Sequence, residues 1–110
     1  MFSTSQQGVV RILKGEDALV ESNLGQLAHV FEEGVALTPR VVFDLEQTPL
    51  IDSAGLEWLL DANDRCMRHG GQLQLAAPSS LCREILRITG LADQFVLYDD
   101  VRSAVRSFSR

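Results

Sequence analysis

Short segments typical of strands alternate along this chain with longer segments whose apolar residues recur every three or four positions. Apolar runs with the length of a strand lie at residues 9–13, 41–45 and 95–98, and residues 72–76 alternate as in a half-buried strand. The segments between them, at residues 19–33, 54–69 and 78–89, have the period of amphipathic helices. Strands that alternate with helices favour β-α-β crossovers and a largely parallel sheet.

The two ends of the chain extend this pattern. Residues 2–5 are expected to form a strand that pairs with residues 9–13 across Gly8, which makes the sheet mixed. Asp99 or Asp100 is expected to cap a last short helix. The sequence therefore predicts an α/β fold with a mixed, mainly parallel sheet of four to five strands and about four helices packed on it.

Composition limits the class of protein. With 110 residues, of which 45% are hydrophobic, the chain has enough apolar side chains for one core, so a single domain over residues 1–110 is expected. Fifteen acidic residues against ten basic ones give a net charge of −5, which argues against binding to nucleic acid or anionic lipid. No basic leader or long apolar run is present, so a cytoplasmic protein without membrane insertion is expected.

Residues that could carry catalysis or bind a metal lack the spacing for it. Cys66 and Cys82 are in separate apolar-periodic segments, which predicts buried, reduced thiols, and His29 and His69 have no metal-ligand spacing. Ser53 is outside any Gly-x-Ser-x-Gly motif. Asp44 lies at the end of a strand, as the phosphoacceptor of a receiver domain does. A receiver also needs an acidic pair after its first strand and a lysine after a later strand, and no lysine follows residues 72–76. We expect no catalytic residue, no metal and no cofactor.

The turn before the second long helix carries the most informative residues. Ser53 is expected to cap this helix, because a serine oxygen accepts a hydrogen bond from a free amide of the first turn. The same position places a hydroxyl at the positive end of the helix dipole, where added phosphate is stabilised. Gly55 is expected to leave the backbone open to a partner or a phosphate. A plain cap and a regulatory hydroxyl both fit these residues.

Several spaced motifs resemble the STAS domains, the family of anti-sigma factor antagonists. Residues 41–45, VVFDL, and 50–56, LIDSAGL, resemble the central signature of that family. The resemblance continues through residues 70–75, GGQLQL, and 88–91, ITGL, to Phe95. It covers nearly the whole chain from residue 9 onward.

The resemblance implies a partner-switching function. In the family, the unphosphorylated antagonist binds an anti-sigma factor that is also a serine kinase, and the serine after the aspartate accepts the phosphate. Here that serine is Ser53, and a serine phosphatase is a further expected partner. The expected partner-binding residues are in the turn, in the first turns of the helix, and after the first long strand: Asp52, Ser53, Ala54, Gly55, Glu57, Trp58, Glu16 and Asp17.

This sequence departs from the family pattern at three places. Ala54 replaces a second small hydroxyl residue, and Glu57 replaces a glycine or another small residue. The early Gly-Glu-apolar-Asp turn appears here as residues 15–18, GEDA, so its acidic residue is displaced. These changes leave an alternative open, in which the chain is a constitutive STAS scaffold subunit of a larger assembly such as a membrane lipid-transport complex.

The helical period gives a separate expectation for Trp58. At about 100° per residue it lies nearly opposite the side chains that are expected to face the core. Those side chains are Leu56, Leu59, Leu60, Asn63 and Met67. Trp58 is therefore predicted to be exposed as an interface anchor, unless a neighbouring loop or the N-terminal strand covers it.

Overall fold

The computed structural model describes residues 1–109 and contains five strands and four α-helices. The strands are β1 (Phe2–Gln7), β2 (Val10–Gly15), β3 (Arg40–Asp44), β4 (Gln72–Ala76) and β5 (Leu97–Tyr98). The helices are α1 (Glu21–Glu32), α2 (Ser53–Arg68), α3 (Ser80–Ile88) and α4 (Val101–Ser107), with a 3₁₀ turn at Leu91–Asp93. The predicted fold class is confirmed, although β5 is shorter than the apolar run at 95–98.

The strands lie in the sheet in the order in which they occur along the chain. β1 pairs antiparallel with β2 across a turn at Gly8, whose φ of +60° favours glycine. The pairs β2–β3, β3–β4 and β4–β5 are parallel. The sheet is therefore mixed, as the sequence predicts, and the carboxyl ends of β2 to β5 meet at one edge.

Side chains that alternate along the strands build a core on each face of the sheet. Val41 and Phe43 of β3 point into the larger core, which α1, α2 and α3 cover. Val42, between them, points to the opposite face and packs with Ala104 of α4. Three helices cover one face of the sheet and one helix covers the other. The loops at the carboxyl ends of the strands remain on the surface.

The buried face of α2 differs from the predicted one. Its buried residues are Gly55, Leu59, Ala62 and Cys66. Leu59 is the one residue shared with the prediction, whereas the Met67 side chain is 57% exposed and Asn63 accepts a hydrogen bond from the Leu73 amide. The helix is rotated by about one residue, roughly 100°, from the predicted orientation.

Both cysteines are free and buried, as the sequence predicts. Burial raises the pKa of the Cys66 thiol to about 12, because the interior disfavours the thiolate. The Cys82 thiol donates a hydrogen bond to the Thr48 carbonyl oxygen at 3.2 Å, and burial raises its pKa as well. Thiols held in this form are poor nucleophiles and poor metal ligands at neutral pH.

Candidate functional site

Two loops at the carboxyl edge of the sheet run side by side and form the candidate site. The loop after β2 leads into α1, and the loop after β3 leads into α2. Leu19 and Ile51 form a parallel bridge between them. The Leu19 amide donates to the Leu50 carbonyl oxygen, and the Asp52 amide donates to the Leu19 carbonyl oxygen, each at 3.0 Å. These bonds hold the start of α2 against the loop that contains Glu16 and Asp17.

Asp52 caps two helices with one carboxylate. Its Oδ1 accepts a hydrogen bond from the Gly55 amide of α2 at 2.8 Å, and its Oδ2 accepts one from the Glu21 amide of α1 at 3.2 Å. Val20, which precedes α1, makes no side-chain cap of its own. The Asp52 carboxylate therefore satisfies amides that are otherwise unpaired at both helix starts.

Ser53 is not the cap of α2, contrary to the sequence-based expectation. It is the first residue of the helix, and its side chain is exposed. Because Asp52 supplies the cap, the Ser53 hydroxyl makes no hydrogen bond to other described residues. It lies at the amino end of a helix of 16 residues, where the helix dipole and the free amides stabilise negative charge.

Gly55 is buried against the neighbouring loop, so the expectation that it opens the backbone to a partner is wrong. A Cβ at this position would lie 2.3 Å from the Leu19 carbonyl oxygen and 2.9 Å from Cγ2 of Ile51. The missing side chain lets α2 approach the loop closely. Gly55 therefore shapes the site from within, while Ala54 beside it remains partly exposed.

Trp58 is half-buried, so the prediction of an exposed indole is wrong. Its ring meets Phe31 of α1 at a centroid distance of 5.4 Å and Phe43 of β3 at 6.1 Å, both edge-to-face. Such aromatic pairs fix the orientation of the ring. The rotation of α2 described above brings Trp58 toward the core, and α1 covers it rather than a loop or the N-terminal strand.

The remaining predicted partner-binding residues are acidic and exposed. Glu57 is one turn beyond Ser53 on α2. Glu16 and Asp17 are on the loop after β2, where the Asp17 carboxylate pairs with the amino group of Met1. The structure thus gathers Asp52, Ser53 and Glu57 at one helix start and places Glu16 and Asp17 on the adjoining loop.

The described residues contain no cluster of three or more His, Cys, Asp or Glu side chains that could hold a metal ion. None of the helices within residues 1–109 is long and apolar enough to cross a membrane.

A family model for the STAS domain matches residues 2–104. The chain belongs to the STAS domain family. The match includes both loops of the candidate site and all five strands of the sheet. No curated protein sequence matches this STAS domain.

Solved structures share the fold of this STAS domain at low sequence identity. A candidate anti-sigma factor antagonist from Thermotoga maritima is 22% identical, with a TM-score of 0.92 over 99% of this chain and 95% of that one. The antagonist SpoIIAA in its unphosphorylated form is 15% identical, with a TM-score of 0.77 over 100% and 98%. SpoIIAA from Bacillus is also known in a phosphorylated form, which is 16% identical, with a TM-score of 0.66 over 98% and 99%.

The same fold occurs in a much larger protein. The murine solute carrier 26 family member A9 anion transporter is 14% identical, with a TM-score of 0.77. The match covers 92% of this STAS domain but only 18% of the transporter. A STAS fold is therefore found both in small antagonists and as part of a long chain.

Three residues near the site were absent from the predicted set. The Glu21 amide donates a hydrogen bond to the second carboxylate oxygen of Asp52, while Leu24 and Asp61 line a groove beside Ser53. Asp61 follows Glu57 by four residues, a spacing that places both on one helix face and could have suggested a pair. No sequence signal connects Glu21 or Leu24 with α2, because the contact depends on how the two helices pack.

Replacing Asp52 with alanine is expected to lower the free energy of unfolding of this STAS domain by about 2 kcal/mol, because two helices lose a cap. Asp52→Asn should lose about half as much, since an amide keeps only one acceptor oxygen. Urea denaturation of the isolated protein measures both. Asp100→Ala is the matched control, because Asp100 caps α4 alone through the Ser103 amide at 2.7 Å. Equal losses for Asp52→Ala and Asp100→Ala would contradict the double cap.

Proposed function

We propose that this protein is an anti-sigma factor antagonist that binds an anti-sigma factor with serine kinase activity, and that phosphorylation of Ser53 releases it. The main support is the exposed Ser53 hydroxyl at the start of α2. Asp52, not Ser53, caps this helix. A serine that capped the helix would hold its hydroxyl against the backbone. Here the hydroxyl is accessible to a kinase.

The helix start also suits the phosphorylated product. The amides of the first turn and the dipole of α2 stabilise a phosphate on the first residue. The proposal agrees with the family membership of the chain and with the fold that it shares with SpoIIAA, which is known in both phosphorylation states. A serine phosphatase would restore the unmodified form, and the exchange would take place in the cytoplasm.

Phosphorylation would change the proposed docking surface, which consists of Asp52–Ala54, Glu57, Trp58, Glu16 and Asp17, with the buried Gly55 shaping it from beneath. A phosphate adds about −1.5 to −2 charge to a region that already has the carboxylates of Asp52 and Glu57. The phosphate would lose its hydration when the partner binds, and the neighbouring carboxylates would repel it. Both effects make the free energy of binding less favourable. In this proposal the surface binds when Ser53 is unmodified and dissociates when it is phosphorylated, without catalysis by the antagonist itself.

Incubation with ATP and the anti-sigma factor kinase of the same organism tests the proposal. Mass spectrometry of peptides is expected to find one phosphate, on Ser53, in the wild type and none in Ser53→Ala. Ser79→Ala is the matched control, because Ser79 is also at a helix start but uses its hydroxyl to cap α3 through the Cys82 amide at 3.1 Å. Phosphate on another residue, or none in the wild type, would contradict the assignment.

A second candidate function is that of a constitutive scaffold subunit in a larger assembly. The observation that favours it is the occurrence of the same fold within the murine anion transporter. Glu57 is compatible with this function as well, because its negative charge lies where a kinase would dock. A scaffold would keep its partner after a Ser53→Asp change, which separates the two candidates.

A further inference from the structure

A groove between α1 and α2 lies beside the Ser53 surface. It is an open groove of about 260 Å³, lined by Leu24, Ala54, Glu57, Trp58 and Asp61. Leu24, Ala54 and the indole of Trp58 provide apolar walls. The exposed carboxylates of Glu57 and Asp61 are four residues apart, on one face of α2.

The two carboxylates have no cation of their own among the described residues. The basic residues farther along α2 are engaged elsewhere, since Arg65 pairs with Glu32 of α1 and Arg68 pairs with Asp64. The protein also has a net charge of −5. The lining of the groove therefore combines two carboxylates with an aromatic ring, and both groups attract an organic cation.

The aromatic wall is held in place before any ligand arrives. Phe31 and Phe43 contact the Trp58 ring edge-to-face at 5.4 and 6.1 Å, from α1 and from the sheet. A ring that is fixed in this way loses little conformational entropy on binding. The indole is therefore already held in one orientation before a ligand binds.

We propose that this groove receives an arginine side chain of the protein that docks at Ser53. A guanidinium group stacks on an aromatic face and pairs with carboxylates in a planar fork, while its apolar stem packs along Leu24 and Ala54. The inference deepens the proposed function, on which it rests, by naming the chemistry of the partner. It also assigns a role to Glu57, the acidic residue that departs from the family pattern: specificity for a basic partner.

A small-molecule probe tests the groove without the kinase. Nα-acetyl-arginine amide should produce saturable changes in tryptophan fluorescence, because Trp58 is the only tryptophan in the chain. Amide chemical shifts should change at residues 54–61. Nα-acetyl-citrulline amide has a similar shape without the charge, so it should produce no saturable change.

Variants then locate the binding. Glu57→Gln combined with Asp61→Asn should weaken arginine binding by about tenfold or more, since both carboxylates are neutralised. Asp64→Asn combined with Glu84→Gln removes two charges away from the groove and should leave binding unchanged. Equal binding of citrulline, equal affinity of the groove variant, or no saturable signal would overturn the proposal.

The outcome for the groove is independent of the outcome for Ser53. If the arginine probe fails to bind while the kinase still phosphorylates Ser53, the groove inference is wrong and the proposed function stands. If the probe binds as expected but Ser53 accepts no phosphate, the groove is supported and the kinase partnership is wrong.

Discussion

Replacing Gly55 with alanine is expected to lower the free energy of unfolding by about 3 kcal/mol, at the upper end of overpacking effects. The added Cβ would lie 2.3 Å from the Leu19 carbonyl oxygen and 3.0 Å from the Leu19 carbonyl carbon. Backbone atoms cannot rotate away as a flexible side chain can, so α2 must shift from the neighbouring loop. The shift would also stretch the hydrogen bonds that join Asp52 to both helices. Chemical denaturation measures the loss.

Gly25 provides the matched control for this substitution. It lies inside α1, and a Cβ there would meet nothing within 4 Å. Gly25→Ala should therefore raise the free energy of unfolding by about 0.5–1 kcal/mol, because alanine is the better helix former. If Gly55→Ala proved as stable as the wild type, the close approach of α2 to the Leu19 loop would be refuted.

Replacing Ser53 with aspartate is expected to weaken binding to the anti-sigma factor kinase by about 100-fold, because the interface must accommodate an added charge beside Asp52 and Glu57. Ser53→Ala removes the hydroxyl without adding charge, so its affinity should stay within about threefold of the wild type. Isothermal titration calorimetry without ATP measures all three affinities.

A charge placed elsewhere controls for the change in net charge. Ser5 is an exposed serine on β1, the edge strand, so Ser5→Asp should bind like the wild type. If Ser53→Asp bound as tightly as Ser5→Asp, phosphorylation of Ser53 would have no electrostatic means of releasing the partner. The scaffold function would then account better for the chain.

The fold could be predicted from the sequence because its main signals are local. The run around Val42 is short and apolar, which is typical of a strand buried on both faces. Residues 72–76 alternate as in a half-buried strand, although the structure buries Gln74 as well. The segments between them have the helical period. Gly8 and Asp100 mark a hairpin turn and a helix start, and both act as predicted. Such signals need no knowledge of distant parts of the chain.

The errors at the site arise from contacts between distant parts of the chain. Asp52 and Ser53 are adjacent and both rank among the best capping residues, so propensity cannot choose between them. Asp52 is the cap because its carboxylate has two acceptor oxygens and can cap both helices at once. The second helix contributes the Glu21 amide, 31 positions before Asp52 in the chain.

The buried face of α2 could not be predicted from the sequence for a similar reason. Apolar residues occur on more than half of its circumference, so the period alone allows two faces about 100° apart. Gly55 decides between them, because only a glycine can pack against the Leu19 carbonyl oxygen. Trp58 follows Gly55 toward the core as a consequence. Both errors therefore have their origin at the contact between α2 and the Leu19 loop.

The most direct test of partner switching adds ATP to a preformed complex of this protein with its anti-sigma factor kinase. Fluorescence anisotropy would follow the bound fraction while mass spectrometry follows the phosphate on Ser53. Wild-type protein is expected to dissociate as Ser53 becomes phosphorylated, whereas Ser53→Ala should stay bound throughout. A complex that remains intact while Ser53 carries its phosphate would contradict partner switching.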